Sequence, residues 1–192
     1  MRYVRVTHHA SSAVADKMNN QVLMNVNCEK AGYRLEASRM CPAVLPASSV
    51  KRGDSEAGTV LIYDKEGFVK LSSLSNLNAA DILTVAEKTL ECTEICRDWL
   101  LFPEEYVLTA DTVYISEDMT TVRLAWTMPQ QICSEKAAVS YFIYSLKTLT
   151  TTNGKTYLDT LGQMLECRNL RFSRVTAFIN QLRQEINICG IE

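Results

Sequence analysis

The sequence predicts an α+β fold in which a small antiparallel sheet with one helix precedes a mainly helical region that contains a β-hairpin. Two observations lead to this prediction: short runs of β-branched and aromatic residues dominate the first third, and apolar residues recur at helical spacing from Asn78 onward. We therefore assign residues 1–75 to an N-terminal β-rich lobe and residues 76–192 to a helical lobe with a hairpin at 112–126. The two lobes are expected to form one compact domain.

The composition is that of an ordinary globular chain. It has 192 residues, of which 47% are hydrophobic. This length and hydrophobic fraction are enough for one sizeable core. The formal net charge is −2. Nucleic-acid and anionic-membrane partners favour clustered lysine and arginine, and the sequence holds no such cluster. No apolar run approaches the roughly 20 residues that span a bilayer. We expect a cytoplasmic chain with no membrane segment and no nucleic-acid partner.

Cysteine and glycine spacing argues against a metal or nucleotide site. The seven cysteines are scattered, and although Cys92 and Cys96 lie four apart, no second pair has the spacing of a zinc site. The seven glycines never form GxGxxG or GxxxxGK[ST], the loops that bind phosphates through backbone N–H groups. We predict seven reduced thiols, no metal and no cofactor.

The first third is predicted to hold five strands and one helix. Asn27 and Pro42 bound the helix, at residues 28–40. The predicted strands cover residues 2–7, 21–26, 43–51, 59–64 and 68–71. Because polar turns separate them, we expect a single small antiparallel sheet.

A long amphipathic helix is predicted from Asn78, a good N-cap, to Leu100, with Pro103 stopping the chain soon after. Its apolar stripe consists of Ile82, Val85, Ala86, Leu90, Cys96 and Leu100. The face expected to be solvated carries Glu87, Lys88, Glu91 and Glu94.

Two short strands follow at residues 112–116 and 121–126, joined by a polar turn. An isolated hairpin is barely stable in water. We therefore expect its apolar side to pack beside the Asn78 helix, with Ile115 and Leu124 buried.

Three helices are predicted after Pro129. Ser134 caps the first, which Gly154 closes with a positive φ; residues 157–167 form the second, and Ser173 caps the third. The first is expected to bury Ala138, Tyr141, Phe142, Ser145 and Leu149. The third is expected to bury Val175, Phe178, Ile179, Leu182 and Ile186.

Acidic and aromatic residues crowd the loop and the hairpin. Paired carboxylates can serve as acid and base, but the five here are expected to be exposed loop and turn residues: Glu104, Glu105, Asp111, Glu117 and Asp118. Tyrosine and tryptophan are enriched at protein interfaces. Tyr106, Tyr114 and Trp126 are thus the predicted interaction surface, with burial in the local core as the alternative, and no catalytic residue is assigned.

A long helix, a loop with a proline and a hairpin is also the order of parts around the catalytic loop of a protein kinase. Aligned on that order, Val107 falls at the catalytic Asp, Thr112 at the metal-binding Asn and Trp126 at the magnesium-binding Asp of DFG. None of these can replace the kinase residue. Asp111 is the one carboxylate immediately beside them.

The phrases CPAVLP, TVLIYD and LLFPEEYVLTADTVYISEDMTTVRLAW, between Tyr33 and Trp126, resemble a family of bacterial N-terminal domains of unknown function. Members are often followed by a forkhead-associated (FHA) phosphopeptide-binding domain. The order of parts is also similar to the degenerate kinase-like domain of a type VII secretion membrane component. The resemblance implies a reduced, pseudokinase-type architecture and a link to bacterial signalling.

These observations together predict a non-catalytic cytoplasmic domain that binds an unidentified protein partner or acts as a signalling scaffold. One alternative is an atypical nucleotide-dependent transferase. Another is a purely structural oligomerisation domain, since the sequence leaves self-association open.

Overall fold

A computed structural model describes residues 21–26, 32–52, 59–128, 133–166 and 172–189. The strands in these ranges are β1 (Gln21–Val26), β2 (Ala47–Arg52), β3 (Thr59–Asp64), β4 (Phe68–Lys70), β5 (Val113–Ser116) and β6 (Val122–Leu124). The α-helices are α1 (Tyr33–Met40), α2 (Ala79–Asp98), α3 (Glu135–Leu146), α4 (Thr152–Leu165) and α5 (Phe172–Cys189). The predicted α+β class and the order of its parts are confirmed. The predicted strand at 2–7 lies outside the described residues.

The first sheet is antiparallel, with strand order β1-β3-β2. The central strand pairs Leu61 with Met24 on one side and with Val50 on the other. Leu61 and Tyr63, two residues apart and so on the same face of β3, are both fully buried. This face therefore lies against the rest of the molecule.

The second sheet has strand order β4-β5-β6, so β4 extends the hairpin rather than the first sheet. Ile115 of β5 pairs with Val69 on one side and Val122 on the other. Pairing of residues 68–71 with the first sheet was therefore wrong. A turn in which Gly67 has a φ of 77° separates β4 from β3, and β4 takes its partner from β5, more than forty residues further along the chain.

The segment between α1 and β2 joins the two sheets. The Leu45 N–H donates to the Leu124 carbonyl at 2.8 Å, and the Leu124 N–H donates to the Ala43 carbonyl at 2.9 Å. Residues 43–45 were predicted to belong to one strand with β2, but they pair with β6 instead. One hydrophobic cluster contains residues from both sides of the proposed lobe boundary at residue 75.

Helix α2 lies at the centre of the fold, in contact with α4, α5 and β6. Its start is confirmed, since the Asn78 side chain accepts a hydrogen bond from the Asp81 N–H at 2.8 Å. Ile115 and Leu124 are buried and the hairpin packs beside this helix, as predicted. No described helix is long and apolar enough to cross a membrane.

The end of α2 differs from the prediction. The helix ends at Asp98, and Leu100 then adopts a φ of 58° and is 58% exposed, so its assignment to the buried stripe was wrong. Because Leu100 adopts this left-handed conformation, the chain changes direction at this residue, and Leu101 is buried in place of Leu100. Helical periodicity cannot show where such a change occurs.

Glu87 also departs from its predicted place on the solvated face of α2. Its side chain is only 7% exposed and forms an ion pair with Arg183 of α5. Because α5 packs against α2, the face that sequence spacing assigned to solvent is covered at this position.

Two predictions, one for the turn between α3 and α4 and one for α3 itself, were wrong. Gly154 lies inside α4, which Thr151 caps, and does not close α3 with a positive φ. A Cβ at Gly154 would lie 1.9 Å from Thr150 Oγ1, so glycine allows a close approach here. Tyr141, predicted to be buried, is exposed on the outer face of α3.

The predicted N-cap of α3 is confirmed, but α5 begins at Phe172, so Ser173 lies inside that helix and is not its N-cap. Ser134 caps α3, accepting a hydrogen bond from the Ala137 N–H at 3.2 Å. Four members of the stripe predicted for α5 are buried: Val175, Ile179, Leu182 and Ile186. The fifth, Phe178, is half-buried.

Candidate functional site

The loop between α2 and β5 is the candidate site, because the kinase-like order of parts would place catalytic chemistry there. It begins with a 3₁₀ turn at Pro103–Glu105 that contacts α3. The Val107 N–H donates to the Thr127 carbonyl at 2.9 Å, which fixes the loop beside the segment that follows β6. The loop is therefore held on both sides by secondary structure.

Thr112, which the aligned order of parts assigns to the kinase Asn, organises the loop internally. Its hydroxyl donates to the Val107 carbonyl at 2.8 Å and accepts from the Thr109 N–H at 3.1 Å. Its own carbonyl accepts from the Ala125 N–H at 2.8 Å. The side chain is buried, so its hydrogen-bonding capacity is used within the fold.

Asp111 is the carboxylate next to Thr112, and it faces the edge of the second sheet. Lys70 Nζ lies 2.7 Å from Asp111 Oδ1, and the Ser72 hydroxyl donates to the same oxygen at 2.9 Å. The Lys70 hydrogen bond, aided by Ser72, holds the pKa of Asp111 below its usual range. This carboxylate is exposed and ionised, and it is paired with a lysine of β4.

The other acidic residues of the loop and hairpin serve separate structural roles. Glu105 is paired with Arg34 of α1, and its second oxygen accepts from the Phe102 N–H at 3.5 Å. Asp118 accepts hydrogen bonds from Ser116 and Thr120, which hold its pKa below the usual range and close the hairpin turn. Glu105, Asp111 and Asp118 thus bond to different groups and do not converge on one point, and one buried oxygen of Glu104 has no hydrogen-bond partner.

Tyr106, Tyr114 and Trp126, the predicted interaction surface, are 2%, 4% and 1% exposed. The expectation that these rings lie on the surface is corrected, because all three belong to the main hydrophobic cluster. Burial raises the pKa of Tyr114 to about 12. The carbonyl of Trp126 accepts a hydrogen bond from the Tyr63 hydroxyl at 3.1 Å, which ties the first sheet to the segment after β6.

A cluster of buried thiols lies beside Tyr106. Cys41 Sγ is 3.9 Å from Cys96 Sγ, and the Cys92 thiol donates to the Ala43 carbonyl at 3.3 Å. The hydrogen bond with Cys96, together with burial, raises the pKa of the Cys41 thiol. Among the described residues, no group of three or more cysteine, histidine or acidic residues has the arrangement of a metal site.

We predict that these three thiols do not react with a thiol reagent in the native protein. Cys41, Cys92 and Cys96 should react with a thiol reagent only after unfolding, because attack requires an exposed thiolate, whereas the half-exposed Cys133 should react at once. Mass spectrometry after alkylation in denaturant without reductant should find seven modified cysteines. Native-state labelling of Cys96 as fast as that of Cys133, or a stoichiometric disulfide, would contradict this.

Sequence reasoning missed the exposed apolar residues at the surface. The large apolar side chains exposed in the described part of the chain are Tyr33, Met40, Ile95, Trp99, Leu100, Tyr141, Tyr144 and Ile188. Three of these, Ile95, Trp99 and Leu100, occur together at the end of α2. The Trp-Leu-Leu run before Pro103 was visible in the sequence, but periodicity assigned its middle residue, Leu100, to the core.

Comparison with known proteins gave one kind of likeness. No protein-family model and no curated protein matches the chain. Twenty-five chains of solved structures do match. One is described as a divergent kinase lacking the glycine-rich loop that regulates membrane ultrastructure of the Toxoplasma parasitophorous vacuole. It has a TM-score of 0.44 and 15% sequence identity over 81% of this chain and 71% of that chain. A likeness this weak assigns no activity, so function has to be inferred from the residues of this chain.

Proposed function

We propose that this chain is a non-catalytic protein-interaction domain that serves as a signalling scaffold. The observation that carries the proposal is the position of Trp126. Where the order of parts would place the magnesium-binding carboxylate, an indole fills the core and is 1% exposed. An indole offers only an N–H donor and cannot ligate magnesium.

The arrangement of the loop carboxylates supports the same conclusion. Kinase-type phosphoryl transfer needs a carboxylate base, two metal-holding side chains and a lysine, all directed at one nucleotide. Here Glu105 is bonded to α1, Asp111 to β4 and Asp118 to its own turn. Each carboxylate stabilises a different local contact, which is the pattern of a structural loop.

One observation keeps the nucleotide-dependent transferase as a second candidate. Lys70 and Asp111 form a lysine–carboxylate pair next to the position of the kinase Asn. Such a pair supplies a cation for phosphate and a carboxylate for magnesium. Its exposure, together with the buried Trp126 and Thr112 beside it, makes the non-catalytic function the better supported of the two.

Titration with Mg-ATP distinguishes the two functions. We expect no saturable heat in calorimetry and no change in melting temperature, because no set of carboxylates in the described part of the chain is positioned to hold the metal and the phosphates. A true ligand present at about 100 times its dissociation constant would stabilise the fold by about 2.7 kcal/mol. ATP with chelator and magnesium alone are the controls.

Magnesium-dependent binding in the micromolar range that Asp111→Ala abolishes would overturn the proposal in favour of the transferase. The same titration with Thr160→Ala, a distant exchange on the outer side of α4, separates a loss of the site from a general effect of substitution. A stable dimer in sedimentation of the isolated chain would instead support the oligomerisation domain.

A further inference from the structure

Several residues at the end of α2 lower the stability of the helix end. Asp98 is the last helical residue, where the backbone carbonyls already carry a partial negative charge that repels a carboxylate. Glu94 lies four residues earlier, and like charges at this spacing destabilise a helix. Among the described residues, none provides a cation to Asp98, whereas Glu94 has Arg97 at 3.8 Å.

Leu100 adds a second cost. The Leu100 N–H donates to the Arg97 carbonyl at 2.8 Å and the Leu101 N–H to the Cys96 carbonyl at 3.0 Å, which is the Schellman pattern of helix termination. The residue at this left-handed position is usually glycine, because a Cβ is strained there. Leu100 has a φ of 58° and leaves more than half of its side chain in water, so burial does not offset the strain.

The exposed apolar residues of this region are contiguous along the helix. Ile95 and Trp99 are four residues apart and therefore neighbours on the same face of α2, and both are exposed. Met40, also exposed, precedes Cys41, whose sulfur lies 3.9 Å from that of Cys96, so α1 ends near the same turn. We refer to Glu94, Ile95, Asp98, Trp99 and Leu100 as the α2-end surface.

We propose that the α2-end surface binds a basic, amphipathic segment of a partner protein. The inference rests on the proposed function, which it deepens by naming the surface and the chemistry of the partner. Residues that destabilise the fold locally, with no compensating contact inside it, are typical of sites that bind a partner. Here the unpaired carboxylate, the strained leucine and the exposed tryptophan occupy three consecutive positions, 98 to 100.

Charge complementarity selects the occupant. The carboxylate of Asp98 borders the apolar stripe, as does that of Glu94, which shares Arg97 with Glu135. These carboxylates attract lysine or arginine, and a guanidinium can also stack on the face of Trp99. Apolar side chains of the same segment would cover Ile95 and Leu100. An anionic lipid surface carries negative charge, the same sign as these carboxylates, and would be repelled by them.

The probe is a fluorescein-labelled peptide of about 18 residues that forms an amphipathic Leu/Lys helix on binding. In anisotropy titrations with the whole chain we expect saturable binding that weakens as salt increases, since charged contacts are screened. A Leu/Glu peptide of the same pattern should not bind. Absence of Leu/Lys binding, or equal binding of both peptides, would overturn the proposal.

Charge variants test the position. Asp98→Lys should weaken Leu/Lys binding by about tenfold or more, equivalent to about 1.4 kcal/mol. Glu117→Lys makes the same charge change at an exposed residue of the hairpin turn. It should weaken binding less than about twofold, because only the change in net charge acts there. Equal losses in both variants would mean that only net charge attracts the peptide, and the surface would be refuted.

Leu100→Gly provides a test that misfolding cannot imitate. It should raise the urea midpoint, because glycine relieves the left-handed strain, and it should weaken peptide binding, because the apolar contact is lost. Tyr141→Ser, which removes an exposed ring from α3, should leave affinity unchanged. Unchanged binding in Leu100→Gly would place the peptide elsewhere and overturn the proposal.

Experiments on related variants also show whether something other than a basic peptide occupies the α2-end surface. Dimerisation in sedimentation that Leu100→Gly abolishes would make a second copy the occupant, and binding to anionic vesicles that Trp99→Ser abolishes would make it a membrane; either overturns the proposal. The Mg-ATP titration is independent of these experiments. Nucleotide binding would refute the non-catalytic function, and failure of the peptide would refute only this surface.

Discussion

Replacing Trp126 by alanine should lower the free energy of unfolding by about 3–5 kcal/mol, the usual range for removing a large aromatic ring from a core. The side chain is 1% exposed and belongs to the main hydrophobic cluster. The cavity would open where the two sheets meet, next to the carbonyl that the Tyr63 hydroxyl contacts. Urea denaturation followed by far-ultraviolet circular dichroism measures the loss without relying on tryptophan fluorescence.

The other of the two tryptophans is a matched control. Trp99→Ala makes the same substitution at the end of α2, where the ring is 37% exposed. It should cost less than about 2 kcal/mol, because much of that surface is already in water. Trp126→Phe should fall between wild type and Trp126→Ala, since an aromatic ring still fills most of the space.

Equal losses at the two tryptophans would contradict this arrangement. They would place the Trp126 ring outside the core, remove the support that its burial gives to the non-catalytic function, and reopen the question of a metal site at this position. A loss confined to Trp126 would show that the core is continuous through the position that the aligned order of parts assigns to the magnesium-binding Asp.

The parts of the fold that sequence predicted correctly are those specified by neighbouring residues. Asn78 and Ser134 each cap a helix through a bond to an N–H three residues later, so each cap is readable from a few letters. The hairpin with Ile115 and Leu124 buried followed from alternation and from the instability of an isolated hairpin. Local chemistry was sufficient in each case.

The errors arose where a distant contact decided the outcome. Residues 68–71 have ordinary strand composition, which does not reveal that their partner is β5 rather than β3. Glu87 belongs to a run of charges that is typical of a solvated face, and only Arg183, far along the chain, shows why it is buried. Pairing between remote residues leaves no trace in spacing.

The three aromatic residues predicted as an interaction surface do not face solvent. Tyr106, Tyr114 and Trp126 lie in and around the hairpin, as expected, yet all three point into the core. The exposed Trp99 and Leu100 precede the loop; Leu100 was taken as the end of the apolar stripe, and Trp99 was not assigned to a face. A one-residue left-handed step at Leu100 exchanges it with Leu101, and only the backbone geometry reveals that step.

Arg183→Met should destabilise the fold by about 2–3 kcal/mol, because it leaves the Glu87 carboxylate buried without its cation while keeping the apolar stem of the side chain. The expected loss is below the roughly 3–5 kcal/mol of a fully buried pair. The reason is that the Arg183 side chain is 36% exposed, so water screens the interaction. Urea denaturation at constant salt measures it.

The exposed pair between Lys147 and Asp159 is the matched control. Lys147→Met removes a cation of the same charge, but its partner is 56% exposed and water can solvate the remaining carboxylate. The loss there should be below about 1 kcal/mol. The double variant Glu87→Leu/Arg183→Met should recover most of the loss seen in Arg183→Met, because an apolar pair of similar volume leaves no charge buried. Equal losses in the two single variants, or no recovery in the double variant, would mean that water reaches Glu87 and that α5 does not seal this face of α2.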